Sequence, residues 1–321
     1  MKRLWLVCLS LLVLFLAGCE NNNTTPKDDD EKITIFTTVY PLQYFTERIA
    51  GDKAEVFSIY PPGANEHTFE PSQKDMMALA DADLFFYIGL GLEGFVENAQ
   101  KTLKDEQVKM VATINGIADE ELEEDPGSHE EEGHDHKHKH DGHDHGDTDP
   151  HIWISPKISQ SLALFIKDSL VEKAPEHEEI FVENYEKLTA ELKQLDNQYQ
   201  EMADKAENKT FFVSHAAFGY IANTYGLEQV AIAGLNSQDE PSQKELTKII
   251  DIAKEKEINY ILFEQNVSSK LTETIQQEIG AESLVLHNLG VLSKDDVKNK
   301  ETYFTLMKKN LQTFEKALNN R

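Results

Sequence analysis

Apolar residues in this chain gather in short runs broken by turn-forming and charged stretches, and the spacing within the runs alternates between two kinds. Ile33 to Val39 reads as a buried strand, followed after Pro41 by a helix over Leu42 to Ala50. Glu55 to Tyr60 is a second strand, stopped by Pro61-Pro62-Gly63, and Leu84 to Ile88 is a third. Before that third strand stands Glu70-Pro71-Ser72-Gln73-Lys74-Asp75, in which Ser72 and Asp75 have the spacing of a capping box for a helix through Ala80. A near copy, Glu240-Pro241-Ser242-Gln243-Lys244-Glu245, opens a second helix, Leu246 to Ala253, that leads to a strand, Tyr260 to Phe263. A shared hexapeptide followed each time by helix and strand predicts two similar α/β lobes.

Between the halves, Phe181, Tyr185, Leu188, Leu192, Leu195, Tyr199 and Met202 recur at steps of four and three. That is one apolar stripe on a long helix within 175–207, with Pro175 tolerated at its start. At 1.5 Å per residue such a helix is about 45–50 Å long, enough to run along both lobes. Thr210 to Ser214 then reads as a strand delivering His215, ahead of a helix ending at Tyr225-Gly226. Ser283 to Leu286 is the last strand, and Phe304 to Leu318 is a closing amphipathic helix. The expected organisation is an amino-terminal lobe over 32–174, the linking helix over 175–207 and a carboxy-terminal lobe over 208–321.

The amino terminus is different. Lys2 and Arg3 precede an apolar run, Leu4 to Leu16, too short to span a bilayer. Residues 1–18 read as a signal peptide, outside the fold. Leu16-Ala17-Gly18-Cys19 resembles a bacterial lipobox, which implies cleavage before Cys19 and a diacylglycerol on its sulfur. The polar stretch from there to residue 31 then serves as a tether.

Of the 321 residues, 40% are hydrophobic, enough to furnish cores. A net charge of −27 argues against nucleic acid, whose phosphates need a basic face, and suits a protein that attracts cations. Cys8 and Cys19 are the only cysteines, so neither a disulfide framework nor a thiolate metal site is available. Any metal site must use histidine and carboxylates. An acidic loop over about 119–149 holds His129, His134, His136, His138, His140, His143 and His145 among Asp, Glu, Lys and Gly. It has no apolar periodicity, and it reads as a set of accessory, weaker metal sites.

Three more histidines occupy constrained places. His67 lies in a loop after a strand, His151 follows Pro150 and leads an apolar strand start at Ile152-Trp153-Ile154, and His215 ends a strand before a helix. In open α/β sheets ligands gather beyond the carboxyl ends of strands. Two lobes face to face would therefore bring these imidazoles into one cleft, a set suited to Zn²⁺ with a fourth position for a carboxylate or water.

The segments Tyr60-Pro61-Pro62-Gly63-Ala64-Asn65-Glu66-His67, Asp149-Pro150-His151-Ile152-Trp153 and Ser214-His215-Ala216-Ala217-Phe218-Gly219-Tyr220, with the acidic histidine loop, carry a resemblance. Over nearly the whole mature length the chain resembles the zinc/manganese-type solute-binding lipoproteins of bacterial ABC importers. The resemblance implies two α/β lobes joined by one backbone helix, with the metal between them. It implies capture of Zn²⁺ as cargo outside the cytoplasm, by a lipid-anchored protein working with an ABC permease and its ATPase, and a monomer is expected. Manganese-selective members typically have Glu where His215 stands and lack the histidine-rich loop, so both features point to zinc.

Family members often draw a fourth ligand from the loop after a carboxy-terminal strand. Here that loop is Leu286-His287-Asn288-Leu289-Gly290-Val291, which has no carboxylate, and Gly290 stands about where the acid would be. Glu66 is the leading candidate instead, ahead of water or a loop histidine, with His287 last. Asp149 and Ser214 are placed to orient imidazoles, and Tyr40 to line the cleft.

Rival classes have less behind them. His129-Glu130-Glu131-Glu132-Gly133-His134 misses the zinc-hydrolase HExxH spacing by one residue and sits in a tract unfit for helix, and no nucleophile elbow or phosphate loop is present. A manganese or mixed-metal binder, a surface adhesin and a zinc chaperone without a permease are compatible with the same chain.

Overall fold

The computed structural model describes residues 32–122, 148–239, 241–265 and 270–319. The signal peptide, Cys19 and the tether lie outside them, as do the seven histidines from His129 to His145. Two four-stranded sheets carry the fold. The first comprises β1 (Ile33–Thr37), β2 (Ala54–Ser58), β3 (Leu84–Tyr87) and β4 (Lys109–Ala112). The second comprises β5 (Thr210–His215), β6 (Glu228–Ala233), β7 (Tyr260–Glu264) and β8 (Glu282–Leu286). Their orders are β2-β1-β3-β4 and β6-β5-β7-β8, the same order twice, and every pairing is parallel. The internal similarity expected from the repeated hexapeptide is therefore a similarity of topology.

Helices α1 (Tyr40–Ala50), α2 (Gln73–Ala80) and α3 (Val96–Thr102) connect the first four strands, and α4 (Ile158–Lys173) closes the first lobe. In the second lobe α6 (Gly219–Tyr225), α7 (Gln243–Glu255) and α8 (Lys270–Ile279) are the connecting helices, followed by α9 (Lys294–Asn299) and α10 (Tyr303–Asn319). Both hexapeptides form complete capping boxes, Ser72 with Asp75 and Ser242 with Glu245, so the first backbone N–H groups of α2 and α7 have side-chain partners.

The linking helix α5 runs from Glu178 to Lys205 after a 3-10 turn, Pro175–His177, that takes up the start of the expected span. Its stripe is buried from Phe181 to Met202, apart from half-buried Tyr185. The stripe packs on α1 and α4 of the first lobe and on α6 and α10 of the second. Arg48 of α1 pairs with Glu191 of α5. The chain crosses between lobes once, yet α10 is a second bridge. Tyr303 stacks on Tyr44 and meets Phe45 edge-on, with centroids 6.3 and 4.9 Å apart, and its hydroxyl lies 3.2 Å from Ser159 Oγ. One continuous apolar core thus spans both lobes. A separate small cluster, Phe212, Ile232, Ile249, Ala253, Ile261 and Ile275, lies between the second sheet and α7 and α8.

Candidate metal centre

The site is built where both sheets present their carboxyl ends. In the second sheet the chain order reverses between β5 and β7, the crevice where open α/β sheets bind ligands. His215 ends β5 and Glu264 ends β7, so the topology itself sets them side by side. Glu264 Oε1 accepts from His215 Nδ1 at 2.6 Å, and both side chains are buried. Ser214 holds the acid rather than the imidazole: its Oγ donates to Glu264 Oε1 at 3.3 Å and accepts from Glu264 N at 3.2 Å.

The equivalent crevice of the first sheet, between β1 and β3, is filled. There the buried Glu93 carboxylate accepts from Thr38 Oγ1 and Ile88 N at 2.8 Å and from Gly89 N at 3.1 Å. Histidines of this lobe accordingly come from longer excursions. His67 stands in the loop after β2, where Asn65 Oδ1 accepts from its backbone N–H at 2.9 Å. Asn65 also reaches across the cleft and donates through Nδ2 to Ser237 Oγ at 3.1 Å.

His151 does not begin a strand. Ile152–Ile154 is a 3-10 turn, all three residues buried. A strand here would need a neighbour to pair with, whereas the turn sends Trp153 into the core and leaves His151 facing the cleft. Asp149 Oδ1 accepts from His151 N at 2.9 Å and from His151 Nδ1 at 2.7 Å. A carboxylate on Nδ1 fixes the tautomer and leaves Nε2 for a ligand, for His151 and His215 alike.

The three imidazoles converge: one ring nitrogen from each of His67, His151 and His215 lies within 4.8 Å of the others. Ring centroids are 4.9 to 5.5 Å apart, and His67 Nε2 is 3.3 Å from His151 Nε2. Two imidazole nitrogens on a tetrahedral zinc with bonds of about 2.0–2.1 Å lie about 3.3 Å apart. Burial, aided by repulsion from His151 and His215, pushes the His67 imidazole down to about 3, so it is neutral and has a lone pair to give. Burial also opposes charge on His215, but Glu264 outweighs it, with help from Glu66 and Asp149, and holds this imidazole above its usual value. In keeping with that, His215 Nε2 lies 3.2 Å from the Leu235 carbonyl, an acceptor.

Glu66 is buried beside this group without joining it: no Glu66 oxygen lies within 4.8 Å of all three nitrogens. Burial, with Glu264 nearby, raises its carboxyl above the usual range despite His151 and His215. Its Oε1 accepts from Asn288 Nδ2 at 2.8 Å. His287 turns away, with Nε2 3.1 Å from Asp296 Oδ2 and Nδ1 accepting from Leu289 N at 2.9 Å. Tyr40 directs its hydroxyl to the Glu301 carbonyl, and its backbone N–H donates to Gly290 O at 2.9 Å in the loop beside the cleft. Glu264 and Asn288 are absent from the residues expected at the site. An acid just past the apolar run of β7 was the available signal for the first, whereas nothing in the local sequence marks the second.

Two parallel-sheet lobes locked by a long helix, with three imidazoles in the cleft between them, define a two-lobed metal-binding protein. A family model for the zinc-uptake complex component A, periplasmic (ZnuA), matches residues 35–317, and the chain belongs to that family. It is 39% identical over 323 residues to the zinc-binding lipoprotein AdcA of Streptococcus pneumoniae, covering 99% of this chain and 61% of that protein. It thus spans about six-tenths of the length of that relative. To the high-affinity zinc uptake system protein ZnuA of Bacillus subtilis it is 38% identical over 315 residues, covering 98% of this chain and 97% of that one. Among solved structures, the Zn(II)-bound ZnuA-like domain of Streptococcus pneumoniae AdcA matches with a TM-score of 0.73 at 34% identity, over 90% of this chain and 100% of that one.

Proposed function

We propose that the chain captures Zn²⁺ outside the cytoplasm and passes it to an ABC permease driven by its ATPase, as a monomer anchored through lipid on Cys19. It performs no covalent chemistry. The observation that carries this reading is the trio of His67, His151 and His215 with their ring nitrogens gathered, two of them backed by the carboxylates of Asp149 and Glu264. Three imidazoles favour zinc over manganese, which prefers oxygen donors. The buried acids supply the charge that a dication needs beside buried imidazoles. Glu66 is the acid not committed to a histidine, and the fourth position is open to it or to water. His129, His134, His136, His138, His140, His143 and His145 supply weaker, exchangeable sites that raise the local zinc concentration.

The test is isothermal calorimetry on His67→Ala, His151→Ala and His215→Ala. Each weakens zinc binding at least about 100-fold, since removing one of three protein ligands costs several kcal/mol. Near-wild-type affinity in any two of the three would sink the assignment.

A further inference from the structure

Three acids approach the imidazoles, and two are committed to them. Glu66 bonds neither; its partner is Asn288, and the same Nδ2 that donates to Glu66 Oε1 donates to Glu264 Oε2, each at 2.8 Å. One amide thus directs its two hydrogens to two carboxylates from opposite sides of the cleft. The Asn288 side chain is not free to follow Glu66 elsewhere. Its Oδ1 accepts from Gly290 N at 3.0 Å, which also fixes which way the amide points, and the backbone carbonyl of Asn288 accepts from Trp153 Nε1 at 2.7 Å. Beneath Glu66 lies Gly290. A Cβ at that position would sit 2.5 Å from Glu66 Oε1 and 2.8 Å from its Cδ. The place where Glu66 rests exists because residue 290 has no side chain.

We propose that Asn288 and Gly290 form a parking slot for Glu66, and that Asn288 is a positioning residue deciding whether this carboxylate becomes the fourth ligand of the metal. The proposal rests on the three-imidazole zinc site. Parked, Glu66 leaves the fourth position to exchangeable water, and zinc can leave by losing three protein bonds. To ligate, Glu66 must give up a charge-assisted bond to the amide, and that cost holds the equilibrium toward the open site. Without the amide, the Glu66 and Glu264 carboxylates face each other with no donor between them, and the cation becomes the better partner for Glu66.

Two substitutions empty the slot by different means: Asn288→Ala removes the donor, and Gly290→Ala fills the space. The backbone at Gly290 is not among those with positive φ, so alanine fits the main chain there. Both variants are loaded with zinc, and affinity and dissociation rate are measured by competition with a chelating dye. Each is expected to bind about tenfold tighter, about 1.4 kcal/mol, and to release zinc correspondingly more slowly. Both gains vanish when Glu66→Gln is added, a dependence that loss of structure would not produce. Unchanged or weaker binding in Gly290→Ala, or a gain that survives Glu66→Gln, overturns the proposal; should Asn288→Ala not fold, Gly290→Ala decides alone. His67→Ala, measured alongside, tests the underlying site: wild-type affinity there would remove the three-imidazole reading whatever the slot variants do.

Discussion

At the scale of single residues, the candidate site is a set of histidines whose protons are managed by neighbours. Zinc needs an unprotonated Nε2, so the raised His215 imidazole is where protons compete with metal. As pH falls through that raised value His215 holds its proton and affinity drops, and the loss begins above the ordinary histidine value of about 6.5. His67, pushed down to about 3, contributes nothing to this dependence at neutral pH. Glu264→Gln removes the charge that holds His215 up. Its zinc affinity is expected to fall about 10–100-fold at pH 8, the usual cost of removing such a supporting group. The pH at which affinity declines shifts downward, as competition titrations between pH 5.5 and 8 will read; an unmoved profile would contradict this account of His215. His151 was legible because it stands against a proline, His215 because it closes an apolar run, and His67 because it lies in the loop that breaks from a strand. Asn288 was not, because its partners Glu66 and Glu264 are 222 and 24 positions away and only the folded chain pairs them.

At the scale of elements, legibility followed contrast. The stripe of α5 is apolar on one side and charged on the other, and the periodicity located it. The 16 residues of α4 carry buried Leu162, Ile166 and Leu170 on one side but also Leu164, 42% exposed, and half-buried Phe165 and Val171 on others, so no single stripe stands out. Edge strands β4, only four residues long, and β6 are partly exposed, and their mixed residues gave no alternation to read. The turn after His151 looked like a strand because three consecutive apolar residues have no period at all. Leu192, fully buried midway along α5, is a direct test of that helix as the spine of the core. Leu192→Ala is expected to lower the unfolding free energy of the metal-free protein by about 2–5 kcal/mol in urea titrations. A loss under about 1 kcal/mol would mean that the stripe is not the packed seam described.

At the scale of the whole molecule, the proposed function assigns separate duties to the conspicuous and the inconspicuous histidines. Deleting residues 120–146 is expected to abolish the extra, weaker zinc equivalents seen by calorimetry while sparing one tight equivalent. Loss of the tight site on deletion would show that the loop is part of it. Two-lobed architecture was legible from the repeated hexapeptide, and the identical strand orders are its physical content. What the sequence did not reveal is how firmly the lobes are joined, because that depends on aromatic contacts between the two ends of the chain.

Those contacts constrain how the protein can be made. Tyr40 bonds to the Glu301 carbonyl across 261 positions, and the Tyr44 and Phe45 rings of the first lobe are covered by Tyr303 in the last helix. A growing chain cannot finish the first lobe and then start the second. Until α10 arrives, the earlier half has an unsealed aromatic face and a long helix with one flank bare. Contacts this distant in sequence slow folding, and here they defer completion of the core until α10 is in place. For an exported chain of the kind proposed above, such a late closing step leaves time for passage, and it makes α10 the seal on both lobes.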